Sequence, residues 1–303
     1  MKHTFSVNFL WLWLVSFTVA GQAAGGKSKA SDKKNTTTEV APASASLTVP
    51  SWLPPETPAH LAAPQLSDVV NTKLDVRFDW AKQYLLGTAV LTLRPHFYSQ
   101  HNVLLDARGF DIKTVQLIGE KGDKNLTYKY DKTQLNITLD RAYTRDQTYQ
   151  LRIAYVAKPN ELPQGGGSAA ITSDKGLYFI NPLGQDPKKP RQIWTQGETQ
   201  ANSCWFPTID HPNQRMTQEI AMTVDNQYKT LSNGLLVASR KNADGTRTDT
   251  WRQTLPAAPY LTMMAVGDFA VVSDTWRGKA VDYYVEPQYK NTAKAVLATR
   301  PKY

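Results

Sequence analysis

The chain has 303 residues, 41% hydrophobic and 20% charged, which excludes a wholly disordered polymer and allows one large or two ordinary domains. Lysine and arginine outnumber the acids 35 to 26, but the excess forms no basic stripe, so nucleic-acid binding is not expected. The single cysteine, Cys204, excludes an intramolecular disulfide framework and any cysteine-rich zinc module.

Residues 1–24 read as a secretory signal peptide. Lys2 and His3 form a short basic start, Phe9 to Val19 an apolar run, and Ala20, Gly21, Ala23 and Ala24 a small-residue end. Cleavage after Ala23 places Gly21 at the −3 position, as such sites require. The run is shorter than the ~20 apolar residues of a spanning helix, so no stable membrane span is expected. An uncleaved N-terminal anchor is the alternative. The expected location is therefore the periplasm or the cell exterior. Residues 25–66, rich in Pro, Ala, Ser, Thr and Lys, read as a disordered linker.

From there the apolar period is two. Leu74, Val76, Phe78 and Trp80 alternate with Asp75, Arg77 and Asp79, placing four apolar side chains on one strand face. Gly87 precedes a second alternating run, Ala89, Leu91 and Leu93. Val103 to Leu105, Thr114 to Ile118, Leu135 to Leu139 and Tyr149 to Tyr155 follow, punctuated by Gly119, Gly122-Asp123 and Pro159-Asn160. Beyond a Gly/Pro-rich loop, Ile220, Met222 and Val224 resume the pattern. Asn233-Gly234 signals a tight turn, and Asp244-Gly245 a hairpin between Leu235 to Ser239 and Thr246 to Thr254. Tyr260 to Val266, Phe269 to Val272 and Val281 to Val285 bring the total to roughly a dozen strands by these signals. Only Tyr289 to Thr299 reads as helical. The expected fold is mainly β, an antiparallel β-sandwich or saddle-shaped β-domain with a short C-terminal helix.

Catalytic signatures are sparse. Gly165-Gly166-Gly167 lacks the Lys-Ser/Thr ending of a phosphate loop and reads as a flexible loop, and Lys188-Lys189 as a solvated turn. His96 and His101 lack the i, i+4 helical spacing of a zinc pair. His211, in a Pro-bounded turn, reads as structural, and Cys204 as a small packed side chain. No Gly-x-Ser-x-Gly elbow occurs. The densest unusual stretch is Trp194 to Pro212, too irregular for an ordinary strand and expected to be an organised loop. Within it Glu198 either meets a cationic ligand or caps a turn through backbone N–H groups.

Thr195-Gln196-Gly197-Glu198, followed by Phe206-Pro207 and Asp210-His211-Pro212, resembles the M1 zinc aminopeptidases. Asp75 to Trp80 with Gly87, Ser232-Asn233-Gly234, Pro259-Tyr260-Leu261 and Gly267-Asp268-Phe269 extend the likeness in the same order. The resemblance implies the aminopeptidase N-like N-terminal β-domain over residues 67–288. It also implies a role for Glu198, which would bind the free α-amine of a peptide substrate, with Gln196 orienting it. Here His211 stands where the family often has an acid.

The family's Gly-x-Met-Glu-Asn and His-Glu-x-x-His segments do not occur in these residues. Residues 289–303 stand where a catalytic domain would begin. No catalytic residue and no metal ligand is assigned in this chain, and by itself it is not expected to hydrolyse peptides. Zinc is expected in the full-length enzyme, with the M1 catalytic domain as the partner in cis. The competing reading is a stand-alone, non-catalytic exported β-domain that binds peptides or glycans. The aromatic residues would serve that role if exposed, but Trp80, Trp194, Trp205 and Trp251 sit in patterned positions and are expected in the core.

Overall fold

A computed structural model describes residues 64–163 and 174–297. The segments read as signal peptide and as most of the linker, together with Gly165-Gly166-Gly167, lie outside the described residues. The first strand, β1, spans Ser67–Asp79. It is followed by β2 (Tyr84–Pro95), β3 (Gln100–Asp106), β4 (Asp111–Leu117), β5 (Lys124–Asn125), β6 (Tyr128–Tyr130), β7 (Gln134–Tyr143) and β8 (Tyr149–Ala157). Next come β9 (Leu177–Ile180), β10 (Gln192–Thr195), β11 (Met216–Asp225), β12 (Lys229–Ser232), β13 (Leu235–Lys241), β14 (Thr246–Ala257), β15 (Met264–Gly267), β16 (Ala270–Trp276) and β17 (Lys279–Val285). A single α-helix, α1 (Lys290–Leu297), closes the described chain.

The strands form an eight-stranded sheet in the order β13-β14-β11-β1-β2-β8-β4-β5, a four-stranded sheet β12-β15-β10-β9, a three-stranded sheet β3-β7-β6 and a β16-β17 hairpin. Every strand pair is antiparallel except β1 with β11, which run parallel. That exception brings together segments almost 150 residues apart, as parallel pairing requires a long crossover. Apolar faces of the three larger sheets contribute to one continuous core. It includes Leu74 and Leu91 from the large sheet, Val103 and Ile137 from the three-stranded sheet, and Ile193 and Val266 from the four-stranded one.

The expected mainly antiparallel β-architecture is present, and alternation explains it. In β2, Ala89, Leu91 and Leu93 are fully buried; across β8 they face Ile153, Leu151 and Tyr149 in register. Gly87 faces Tyr155, and a Cβ there would lie 2.5 Å from the tyrosine ring. The missing side chain lets that ring lie flat beside the strand, where it stacks on Phe110 at 4.9 Å.

Several details differ from expectation. Seventeen strands are described rather than a dozen, because β5, β6, β9, β10 and β12 are too short to show a period. Tyr260 opens no strand; Pro259–Leu261 is a 3-10 turn, and β15 begins at Met264. Asp244-Gly245 closes the expected β13-β14 hairpin, whereas Asn233-Gly234 passes the chain from one sheet to another. The helix begins one residue later than expected, at Lys290, and runs to the last described residue, Leu297; Thr299 lies outside the described residues.

Candidate functional site

The segment from Trp194 to Pro212 was expected to avoid strand structure, yet its first two residues end β10. Ile193 faces the core, so Trp194 points to the opposite side. Trp194 is therefore not a core residue: it is 40% exposed and stacks at 4.6 Å on its cross-strand partner Tyr178. Trp205 and Trp251 are buried as expected, and Trp80 packs half-buried against the core.

Thr195 closes the strand end. Its Oγ1 accepts from the Met264 N–H at 3.0 Å and donates to the Met264 carbonyl at 3.4 Å. The Gln196 N–H then donates to the Gly176 carbonyl at 2.9 Å. Gly197 is buried where a Cβ would sit 2.2 Å from the Tyr260 carbonyl oxygen, so only glycine lets the backbone pass. Glu198, Thr199 and Gln200 form an exposed turn, and the Glu198–Thr199 peptide is cis. The Ala201 N–H returns to the Gly197 carbonyl at 2.9 Å.

Below this turn lies a polar foundation. Asn202 is fully buried. Its Nδ2 donates to the Pro259 carbonyl (2.5 Å) and the Thr262 carbonyl (3.0 Å), and its Oδ1 accepts from the Trp205 indole N–H (2.7 Å). The Tyr155 hydroxyl, placed by Gly87, donates to the Trp205 carbonyl at 3.0 Å. Arg108 clamps the other side. Its Nη2 donates to the Gln200 carbonyl (2.5 Å), its Nε to Ser203 Oγ (3.1 Å) and its Nη1 to Asp174 (3.2 Å). Thr208 exchanges two backbone hydrogen bonds with Asp106, which fixes the exit of the loop.

Asp210 is buried. One carboxylate oxygen accepts from the Ser203 N–H at 2.8 Å, while the other has no partner among the described residues. Burial pushes its carboxyl up to about 6; the Ser203 hydrogen bonds oppose the rise and neighbouring Asp106 adds to it. Burial likewise pushes the Cys204 thiol up to about 12, so at neutral pH it is a packed thiol rather than a nucleophile, as its sequence context suggested. His211 Nδ1 lies 3.3 Å from Gln200 Nε2 and faces no catalytic partner.

Glu198 thus lies on an exposed turn whose flanks are held by backbone hydrogen bonds. Among the described residues its carboxylate takes no hydrogen bond and no ion pair, so the turn-capping alternative has no counterpart here. Gln196 is half-buried two residues away, and no side-chain hydrogen bond joins the two. Sequence reasoning found the loop but missed Arg108, Asp174 and Asn202 as its supports. Asn202 lies inside the motif segment and was open to suspicion. Arg108 meets Ser203 across 95 positions, and no local signal announces that pairing. No group of three His, Cys, Asp or Glu side chains among the described residues is able to hold a metal ion. A zinc ion therefore does not fit the donor set described.

The described residues thus form a mainly β domain in which Glu198 stands exposed on the turn of an organised loop. The family model of the Peptidase M1 N-terminal domain matches residues 68–261, and the chain belongs to that family. It is 33% identical over 155 residues to the glutamyl aminopeptidase of Rattus norvegicus, covering 50% of this chain and 15% of that protein. It is 21% identical over 268 residues to leucine aminopeptidase 2 of Phaeosphaeria nodorum, covering 77% and 40%. Its fold is similar to that of an M1 zinc metallopeptidase from Deinococcus radiodurans, with a TM-score of 0.59 at 19% identity, covering 73% of this chain and 47% of that one. The chain thus spans about half the length of this solved relative, and less of the curated ones.

Proposed function

We propose that this chain is the substrate-amine-anchoring N-terminal domain of an exported M1 zinc aminopeptidase that removes N-terminal residues from peptides. The observation that carries the reading is the free Glu198 carboxylate on a turn held from below by Asn202 and from the side by Arg108. A carboxylate that needs no internal partner is available to an ammonium group, and a charge-assisted hydrogen bond to it is among the stronger polar contacts. Because the turn is fixed, the carboxylate marks one end of the substrate and measures a single residue to the scissile bond. Gln196, half-buried at the base of the same turn, is placed to orient the amine or its neighbouring carbonyl.

The partner would be the M1 catalytic domain in cis, where bound zinc would supply carbonyl polarisation and water activation. No step of that chemistry is assigned to residues of this domain. Export rests on the signal-like residues 1–24, and sequencing of the mature N-terminus tests it. The amine site is tested by Glu198→Ala in the complete enzyme. Losing a hydrogen bond between charged groups, worth about 1.5–3 kcal/mol, should lower kcat/KM on free-amine peptides by roughly 10- to 150-fold. An unchanged kcat/KM removes Glu198 from the site.

A further inference from the structure

The three-stranded sheet has an open edge with an unusual setting. Among the described residues, strand β3 pairs with β7 on one side only. At its end the Asp106 N–H donates to the Thr208 carbonyl at 2.7 Å, and the Asp106 carbonyl accepts from the Thr208 N–H at 3.1 Å. Both backbone groups of Asp106 therefore point away from β7. In an antiparallel ladder every second residue shares that direction. The N–H and C=O groups of Leu104 and Asn102 consequently face the same open edge, in register with the Thr208 bridge and without a partner among the described residues. Val103 and Leu105 turn their backbone groups to β7 and their side chains to the core.

This edge forms the floor of a cavity of about 470 Å³, within the ~300–1,000 Å³ range of ligand clefts. Leu66 borders one wall and Ile209 and Asn213 another, so the edge lies in a trough rather than on a bare rim. The Asn102 and Asn136 side chains on its floor make no hydrogen bond among the described residues. Exposed edges are commonly blunted by lysine, proline or a bulge. At the far edge of the large sheet, β13 carries Arg240, Lys241 and a register shift between Leu236 and Ala238. From Asn102 to Asp106, β3 has none of these. No Lys or Arg lines the cavity; its one carboxylate is Asp106, of which one oxygen accepts from the Asp210 N–H at 2.9 Å and the other stays available among the described residues.

We propose that the edge of β3 is a docking site for an extended peptide segment of neutral or basic composition, which adds as an antiparallel strand and continues the Thr208 bridge. Main-chain hydrogen bonds to Leu104 and Asn102 supply the register, and the Asn102, Asn136 and Leu104 side chains contact alternate residues of the bound strand. An acidic segment is disfavoured by Asp106.

The test uses the full chain and a fluorescein-labelled Thr-Val-Lys-Val-Thr-Lys peptide blocked at both ends. Blocking removes the α-amine, so the result is independent of the Glu198 reading and either can fail alone. The expected result is saturable binding, with hydrogen–deuterium exchange slowed at least tenfold at the amides of Asn102 and Leu104 and unchanged at Val103 and Leu105. The same peptide N-methylated at every residue should bind at least tenfold more weakly. So should the unmodified peptide to Leu104→Pro, which removes an outward N–H while sparing the β7 pairing. No saturation up to millimolar peptide, or equal binding of the N-methylated peptide, overturns the proposal. So does protection of these amides by maltohexaose but not by the peptide, which would assign the trough to a glycan.

Discussion

The centre of the eight-stranded sheet and the segment that underlies the Glu198 turn are both buried, but by different means. In the sheet, Leu91, Leu151 and Ile153 are covered because alternation puts every second side chain on one face. Their stabilisation scales with apolar area and is indifferent to direction. In the loop, Asn202, Ser203, Thr208 and Asp210 are buried beside Trp205 and Phe206. There most polar groups meet a specific partner at a specific angle, because a buried donor or acceptor left unmade costs about 1–3 kcal/mol; one Asp210 carboxylate oxygen and the Thr208 hydroxyl have none among the described residues. The sheet is therefore expected to tolerate substitution by shape better than the loop does.

The sharpest way to break the comparison is a pair of buried replacements, one polar to apolar and one apolar to apolar. Asn202→Leu keeps the branched shape, with some added volume, but strands the Pro259 and Thr262 carbonyls and the Trp205 indole N–H. It should cost about 4 kcal/mol in urea unfolding. Leu151→Met, at an equally buried sheet position, should cost less than about 1.5 kcal/mol. Equal losses would mean that the loop, too, is held by area alone.

Next in size is the pH dependence set by Asp210. Its folded carboxyl titrates near 6, against 3.8 for the ordinary value. The folded state thus holds the proton more tightly than the unfolded chain. The resulting stability is fully present below about pH 4 and is lost as pH rises through about 6. Asp210→Asn should remove that slope, changing the stability difference between pH 4 and pH 7 by roughly 3 kcal/mol relative to the parent chain. Unfolding curves at the two pH values for both proteins measure it, and identical slopes would show that Asp210 does not titrate there.

A smaller effect is expected at the surface of β10. Trp194→Ala removes a stacked but exposed ring, and about 1 kcal/mol should be lost in the same unfolding assay. Smallest of all is the stability effect of Glu198→Ala, within about 0.5 kcal/mol because the carboxylate supports nothing inside the fold. A larger loss would make Glu198 a structural residue and weaken its assignment to the substrate amine.

Much of the sheet was legible in the sequence. Strands β1, β2, β7, β8 and β11 are long enough for alternation to show, and Asp244-Gly245 marks its hairpin directly. Strands β9, β10 and β12 were missed because four residues carry no measurable period, and their partners lie far along the chain. Trp194 was misplaced for the same reason. Its hydrophobicity suggested burial, but its parity in β10, opposite to Ile193, decided otherwise. The loop itself was visible as a run of Gly, Pro, amide and aromatic residues that fits neither period.

By itself, then, the sequence determined the β-class, the principal strands and the segment from Trp194 to Pro212 as a largely irregular, organised loop. These follow from local periodicity and from a short run of residue types, which neighbouring positions are enough to express. Only the tertiary structure decided that Arg108, Asn202 and Tyr155 brace that segment, that Asp210 is buried with an unpaired oxygen, and that β3 leaves an open edge in a trough. Those features depend on contacts across 50 to 100 positions, where a hydrogen bond's partner is fixed by the packing of whole sheets and not by any residue nearby in the chain.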